Sequence, residues 1–371
     1  MSKFLRLPGI IDIHVHLRDP KETHKEDFYT GTCAALAGGV TSVFDMPNNL
    51  EPIMSLETLQ KKIEKAKQKA VCDWGLYFGT NGKNTSEFAK VVDQVVGLKL
   101  YLSLTTGKYV VGDEELVELV FQHWPKQKVL VVHAEGDRVD LAIKLATNYQ
   151  NKLHITHVST KETLKKIIEA KADGLNITCD TVPHYLFLSN EQVSGQDTSG
   201  VTVTGSPDGG GINKESLYSV KPPLATKKDQ EFLWRNLTWI DCIATDHAPH
   251  TKEEKRSTNP PTGVPGLETM LPLLLDSVSK KRLTLKDIVR LTNTNPQKIF
   301  GFRQDKDTFI EVDTEEKYII KNGELLTKCG WSPFDGWEVQ GKVKRVCIRG
   351  TKVFENGKVL VSPGFGKQII F

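Results

Sequence analysis

The chain has 371 residues, too many for one ordinary small domain but enough for one large α/β barrel with an accessory piece. Its 39% apolar and 26% charged residues are typical of a folded globular enzyme and exclude disorder along the whole chain. The formal charge of +3 lacks the concentrated basic character that sequence-independent nucleic-acid binding requires, so we expect no nucleic-acid partner.

Location and redox state are also constrained by the sequence. There is no run of 18 or more apolar residues, and the opening segment MSKFLRLPGIID lacks the long apolar core and small-residue cleavage site of a signal peptide. We therefore expect no membrane segment and an intracellular, cytoplasmic location. The six cysteines are scattered without a CxxC pair, which is typical of reduced thiols in a core.

Eight short apolar runs recur in chain order and predict parallel strands. Each run is nearly continuous in apolar character, as expected when both faces of a strand are covered, and most carry their polar residues at the carboxyl end. The runs span residues 10–17, 40–47, 73–79, 97–103, 129–135, 153–159, 176–184 and 241–250.

Segments with apolar residues at three- and four-residue spacing lie between the runs and predict helices. The clearest are residues 56–69, 115–124, 140–149 and 161–172. Alternating strands and helices predict an α/β fold, a (β/α)8 TIM barrel whose catalytic face lies at the carboxyl ends of the strands.

Two regions depart from this alternation. Residues 194–213 are rich in Gly, Ser, Thr and Asp and predict a long loop after the seventh barrel strand. Past Gly301 the pattern changes to short alternating segments with an Asn356-Gly357 hairpin signal. We expect residues 8–303 to form the catalytic barrel, and residues 1–7 together with 304–371 to form a small β-rich subdomain.

Four histidines and one carboxylate fall at the ends of predicted strands. His14 and His16 are two residues apart, so both side chains point to the same side of one strand, and such a pair suits Zn²⁺. An HxH pair alone is also compatible with a purely structural role. The recurrence of similar groups on other strands favours a metal site, and these groups are His133, His157 and Asp246.

Lys99 lies inside the apolar run GLKLYL, where burial disfavours an ammonium. It is either paired with a carboxylate, or it has reacted with CO₂ to give a carbamate that bridges two metal ions. The full ligand set is too large for one tetrahedral zinc and suits two ions, with a bridging hydroxide as the nucleophile. Asp246 could then be both a ligand and the proton carrier for hydrolysis of an amide-like C–N bond, or its reversal, or a ligand alone.

Polar residues close to these positions favour a small anionic substrate. Arg18 lies two residues after His16, and its planar guanidinium can bind a carboxylate through two hydrogen bonds. Asn48, after the second strand, and His250, four residues beyond Asp246, could add hydrogen bonds.

The motifs taken together resemble the dihydroorotases of the cyclic amidohydrolase superfamily, in particular the dihydroorotase domain of the eukaryotic pyrimidine-synthesis polyprotein. The motifs are LPGIIDIHVHLRDP, THKEDF, GLKLYL, VVHAE, ATDHAPHT and GLETMLPLLL. The resemblance covers nearly the whole chain. It implies reversible cyclisation of N-carbamoyl-L-aspartate to L-dihydroorotate and water in de novo pyrimidine synthesis.

The resemblance also implies roles for individual residues. His14 and His16 match the ligands of one zinc, His133 and His157 match those of the other, and Lys99 matches the carboxylated bridging lysine. Asp246 matches the ligand that acts as general acid and base. Positions that match substrate-holding residues are Arg18, Asn48, His250, Lys221 and Thr262, and Thr105 matches a threonine on a loop that closes over the substrate.

Departures from the family pattern concern the number of metal ions and the roles of the remaining histidines. The polyprotein domain has a third zinc whose cysteine and glutamate ligands are replaced here by Thr156 and Asp180, so we do not expect a third metal. His184 and His247 could orient the metal ligands from behind, whereas His24, His123 and His154 are interpreted as surface or packing residues.

Other functions and assemblies stay open at this level. A dihydropyrimidinase, hydantoinase or allantoinase would share the metal core but would not need Arg18, and an inactive scaffold homologue would have lost metal ligands. We expect a homodimer. The short segment before Pro8 favours a polyprotein-like domain, either free-standing or associated with other pyrimidine-synthesis enzymes.

Overall fold

A computed structural model describes residues 4–104, 109–194 and 214–370. Thr105 and residues 195–213 of the predicted loop lie outside these ranges.

Eight parallel strands form one sheet, in which each strand pairs with the next one along the chain. A first strand, β1 (Leu5–Pro8), precedes them and belongs to a second sheet. The barrel strands are β2 (Ile10–Val15), β3 (Val40–Asp45), β4 (Asp73–Gly79), β5 (Gly97–Tyr101), β6 (Val129–His133), β7 (Lys152–Ile155), β8 (Ile177–Thr181) and β9 (Cys242–Ile243). Each lies within a predicted run or overlaps it. A backbone hydrogen bond of 2.8 Å from His16 to His247 brings the last strand end to the first, so the barrel is nearly closed, as predicted.

Helices cover the outside of this sheet. The predicted helix 56–69 is found with the same bounds, and it begins at a Ser55 cap that accepts a hydrogen bond from the backbone of Thr58. The helices of the barrel are α1 (Phe28–Ala37), α2 (Leu56–Lys69), α3 (Phe88–Val91), α4 (Glu114–His123), α5 (Asp137–Tyr149), α6 (Lys161–Ala172), α7 (Pro183–Phe187), α8 (Asn190–Ser194), α9 (Lys214–Leu217), α10 (Lys227–Arg235), α11 (Lys252–Lys255), α12 (Met270–Ser279), α13 (Leu285–Val289) and α14 (Asn295–Phe300). Among the described residues, none of the helices has both the length and the apolar character needed to cross a membrane.

Side chains inside the barrel form a plug that is separate from the core under the helices. Phe300 of α14 packs edge-on against Phe44 and Tyr77, with ring centroids 5.1 and 6.2 Å away. This plug fills the inside of the barrel below the carboxyl ends of the strands, the face on which such barrels carry their sites.

The second sheet is antiparallel and contains β1 and the four strands that follow the barrel. Those strands are β10 (Phe309–Ile319), β11 (Glu338–Ile348), β12 (Thr351–Glu355) and β13 (Lys358–Val359). Asn356 and Gly357 join the last two with positive φ angles of 48° and 83°, the turn that this dipeptide predicts.

Residues 325–332 connect this sheet to the catalytic end of the barrel, and we call them the strap. Backbone N–H groups of Leu326 and Thr327 donate to Glu268 at 2.9–3.0 Å. The Lys328 N–H donates to Glu26 at 3.2 Å, and the Trp331 indole donates to the carbonyl of His250 at 2.7 Å. The strap therefore holds loops of the barrel by direct hydrogen bonds.

Candidate active site at the carboxyl ends of the strands

A cleft opens where the barrel strands end. Its lining comes from strands β2, β5 and β6 and from the loops after β2, β3, β7, β8 and β9, because parallel strands bring their carboxyl ends to one face. The lining residues are His14, His16, Arg18, Asn48, Tyr101, His133, His157, Lys221, Asp246, Ala248, Thr262 and Gly263.

Asp246 joins the two histidines of the first strand. Its Oδ1 lies 3.3 Å from His14 Nε2 and 3.1 Å from His16 Nε2. The other nitrogen of His16 lies 2.8 Å from the amide oxygen of Asn48, which fixes the orientation of the ring. One carboxylate oxygen and two imidazole nitrogens thus converge on one point of the cleft.

A second group of donors lies beside this one. His133 Nδ1 and His157 Nε2 are 3.0 Å apart, and the buried amine of Lys99 donates to Thr156 Oγ1 at 3.1 Å. The His157 ring lies 5.3 Å from the His14 ring, so the two groups of donors are continuous.

Burial sets the charge of these groups. Desolvation lowers the pKa of His14 and His157 well below the usual value for histidine, and neighbouring positive groups add to the effect. Desolvation also lowers the pKa of Lys99 to about 7, although Asp180 and Asp246 oppose it. Neutral imidazoles and a partly neutral amine are the forms able to bind a cation or to react with CO₂.

Asp246 keeps its negative charge although it is buried. Burial is the largest single influence and would raise the pKa of its carboxyl, but the hydrogen bond and charge of His16, with the charges of His184 and Lys99, together leave the pKa below the usual value. The carboxyl is therefore ionised at neutral pH and can act as a ligand and as a proton acceptor.

The donor set fits a metal site. His14, His157 and Asp246 each offer a ligand atom, and these atoms lie within 4.8 Å of one another. His14 Nδ1 and His157 Nδ1 are buried, and the described residues provide neither with a hydrogen-bond partner. Imidazole nitrogens with carboxylate oxygens are the ligands that zinc takes in catalytic sites.

The polar residues predicted to hold a substrate line the same cleft or support it. Arg18 is buried, and its guanidinium donates to the Pro249 carbonyl and contacts His250 Nε2, both at 3.1 Å. His250 stands behind Arg18 and also contacts the carbonyl of Thr262 at 3.1 Å. Lys221 and Thr262 come from two neighbouring loops.

Three residues of the site have a left-handed backbone that side chains rarely adopt. The φ angles are 64° at Arg18, 40° at His157 and 46° at Asp246. Such conformations cost on the order of 1–3 kcal/mol each and persist where the surroundings fix them. At His157, Asp180 accepts the backbone N–H at 2.7 Å. Strand β2 ends at Val15, so the alternation of side chains along a strand does not determine where Arg18 points. A turn after the strand brings the Arg18 side chain to the cleft.

Of the other buried histidines, His154 and His247 have hydrogen-bond partners of their own. Fully buried His154 contacts Asp180 Oδ2 at 2.8 Å, which occupies the second oxygen of that carboxylate. The ring of His247 accepts the backbone N–H of Gly266 at 3.1 Å, and that of His184 is buried with a pKa lowered to about 4 by desolvation. Asp180 therefore serves His154 and His157.

Sequence reasoning missed Tyr101. Its side chain lines the cleft two residues after Lys99 in β5, so the period-two alternation of strands would have found it.

Comparison with known proteins places the chain in a family. The amidohydrolase family model matches residues 5–179. The multifunctional protein CAD of Squalus acanthias is 44% identical over 99% of this chain and 16% of its own length, so the chain spans a small part of that relative. A dihydroorotase of Pyrococcus furiosus is 35% identical over 98% of this chain and 84% of its own. The chain belongs to the dihydroorotases of the amidohydrolase family.

Solved structures extend the agreement to the fold. An L-hydantoinase of Arthrobacter aurescens superposes with a TM-score of 0.90 at 24% identity, covering 99% of this chain and 89% of its own. An inactive dihydroorotase-like domain of the Chaetomium thermophilum CAD-like multifunctional protein has a TM-score of 0.80 at 24% identity, covering 99% and 100%. Fold, family and the assignment as an enzyme of the dihydroorotase family agree with the sequence-based predictions. Enzymes of the amidohydrolase family generally depend on metals.

Proposed function

We propose that this chain is a zinc-dependent dihydroorotase that interconverts N-carbamoyl-L-aspartate and L-dihydroorotate in pyrimidine synthesis. The observation that carries the proposal is the buried guanidinium of Arg18, which stands in one cleft with the histidine and Asp246 donors. Hydrolysis of a ring that carries a carboxylate requires a hydrolytic centre and a cation that binds the carboxylate.

Two zinc ions would be held by the two groups of donors. His14, His16 and Asp246 form one group, and His133 and His157 form the other. Lys99, as its carbamate, would supply an oxygen to both. When bound, such ions polarise the reacting carbonyl and make water acidic enough to react near neutral pH.

Asp246 moves the proton in this proposal. In ring opening, its ionised carboxylate takes a proton from the attacking water, and the C–N bond between the ring nitrogen and the C4 carbonyl carbon breaks. The same carboxyl then returns the proton to the departing nitrogen. In ring closure the steps reverse, and one proton is consumed overall because a dianion becomes a monoanion. Acidic pH therefore favours the cyclic product.

Arg18, Asn48 and His250 would orient the substrate. The Arg18 guanidinium is already held by Pro249 and His250, so little side-chain entropy is lost when it binds a carboxylate. Lys221 adds a second cation at the edge of the cleft. Thr262 would contact the substrate from the loop after β9. Thr105, which lies outside the described residues, is also proposed to contact the substrate.

A direct assay tests the proposal. Purified protein should contain about two zinc ions per chain, as expected for two ligand groups, and should turn over carbamoyl aspartate in preference to hydantoin or dihydrouracil. His14→Ala should lose zinc and activity, whereas the exposed His123→Ala on α4 should keep both. Preference for a neutral ring would instead favour the hydantoinase-like function. Absence of metal and turnover after zinc and bicarbonate are supplied would leave the scaffold hypothesis.

The oligomeric state, the cellular location and the binding partner are also proposals. We expect a homodimer in the cytoplasm, free-standing or associated with other enzymes of the same synthesis, and a small-molecule substrate as the binding partner.

A further inference from the structure

Lys255 is a fully buried lysine at the end of α11. Its ammonium donates to the backbone carbonyls of Ser219 and Pro261 at 3.1 and 3.0 Å, and it lies 5.9 Å from the centre of the Trp331 ring. Among the described residues, no carboxylate forms an ion pair with it. Burying a charge without a counter-ion is costly, so such a residue needs a reason.

The two carbonyls belong to loops that line the cleft. Ser219 lies two residues before Lys221, and Pro261 directly precedes Thr262. The Ser219 carbonyl also accepts the backbone N–H of Gly263 at 2.9 Å. One ammonium therefore ties together the loop after β8 and the loop after β9 at the positions from which they reach the substrate.

The surroundings of Lys255 are positively charged. Burial, and next the Arg18 guanidinium, lower the pKa of Lys255 to about 7. Burial, and after it the charges of Arg18, Lys25 and Lys255, lower the pKa of His250. The adjacent residue Glu254 pairs instead with His24 and Lys25 at 3.0 and 3.4 Å, and Glu22 pairs with Lys25. An anion in the cleft would supply the missing negative charge.

We propose that Lys255 is a positioning residue that determines specificity for an anionic ligand. It holds the loops of Lys221 and Thr262 in place, and its unpaired charge favours a substrate that carries a carboxylate beside Arg18. This inference rests on the proposed function, and it adds a determinant that does not itself line the cleft.

Two variants and one control separate charge from structure. Lys255→Met removes the charge and both hydrogen bonds, whereas Lys255→Gln removes the charge but keeps an N–H donor for the carbonyls. Lys128→Met is the control, because Lys128 is another buried lysine that donates to a carbonyl, that of Val95 at 3.1 Å, but at the amino end of β6. Competing ligands are L-dihydroorotate and its uncharged methyl ester.

Lys255→Gln should raise the KM for carbamoyl aspartate and the inhibition constant of dihydroorotate by about tenfold, typical for the loss of one charge interaction. Lys255→Met, which also frees the two loops, should weaken the binding of dihydroorotate and of its ester further. In Lys255→Gln the kcat, the zinc content and the inhibition constant of the ester should change less than about twofold, since none of them depends on that charge. Lys128→Met should leave every constant unchanged.

The outcomes distinguish two failures. A wild-type protein that neither turns over carbamoyl aspartate nor binds dihydroorotate refutes the proposed function. A wild-type protein that does both, with a Lys255→Gln variant of unchanged affinity for dihydroorotate, overturns the role of Lys255. Equal weakening of dihydroorotate and its ester in Lys255→Gln also overturns it, because a merely structural role would affect both ligands.

Discussion

Replacing Lys62 with methionine should destabilise the protein far more than the same change at the adjacent Lys61. Both lysines lie on α2 and both form an ion pair at 2.6 Å, Lys62 with Asp45 and Lys61 with Glu57. The difference is burial: the side chains of the first pair are 1% exposed, whereas those of the second are 58% and 74% exposed. Equal distances therefore isolate the effect of solvent.

Lys62 also holds the loops of the cleft. Its ammonium donates to the Met46 carbonyl and to the Asn49 side chain, both at 2.7 Å, and Asp45 accepts the Leu17 N–H at 2.7 Å. Methionine would leave the Asp45 carboxylate buried with that one donor. Removing one partner of a buried pair costs about 3–5 kcal/mol, whereas an exposed pair is worth about 0–1 kcal/mol.

Urea denaturation measures the difference. The free energy of unfolding should fall by about 3–5 kcal/mol in Lys62→Met and by less than about 1 kcal/mol in Lys61→Met. Residual folded Lys62→Met should also bind dihydroorotate more weakly, because the loops of Arg18 and Asn48 meet at this ion pair. A loss in Lys62→Met no greater than that in Lys61→Met would refute the reasoning from burial.

Further predictions concern the chemistry and the strap. Arg18→Met should raise the KM by roughly 10- to 100-fold through loss of a charged hydrogen-bond donor, with zinc content unchanged; equal loss of zinc would contradict its role. Asp246→Asn should lower kcat by about 10²- to 10⁴-fold while dihydroorotate still binds, and retained turnover would exclude a proton-transfer role. Desolvation raises the pKa of Glu268 to about 7 from 4.5, so the folded state keeps a proton that the unfolded state loses. Its stabilising contribution is thus complete below pH 4.5 and declines toward pH 7; Glu268→Gln should flatten this decline in denaturation midpoints, and an unchanged slope would count against it.

The parts of the fold predicted correctly are those fixed by local pattern. Strand β2 is buried along its whole length, so its apolar run reports its environment directly. His14, His133 and Asp246 lie near the carboxyl ends of different strands. Because the carboxyl ends of parallel strands lie at one face of a barrel, these three residues come together there.

The parts missed depend on contacts between distant segments. In α2, Lys62 follows Leu59 by three residues and precedes Ile63, so it occupies the buried face, but a lysine there looks like the solvated residues around it until Asp45 is placed opposite. Lys255 is similar, because its partners are carbonyls of loops whose path the sequence does not specify. Arg18 depends on a left-handed turn that strand alternation does not describe.

The strap has a consequence for the order in which the molecule is made. The Trp331 indole holds the carbonyl of His250, and Lys328 reaches Glu26 across 302 positions of sequence. A ribosome has synthesised every proposed metal ligand, as well as Lys221 and Lys255, well before it reaches Trp331. The loop behind Arg18 therefore gains its last support only after all eight barrel strands have been synthesised, and a nascent barrel can be complete in strands while its substrate pocket is still unfinished.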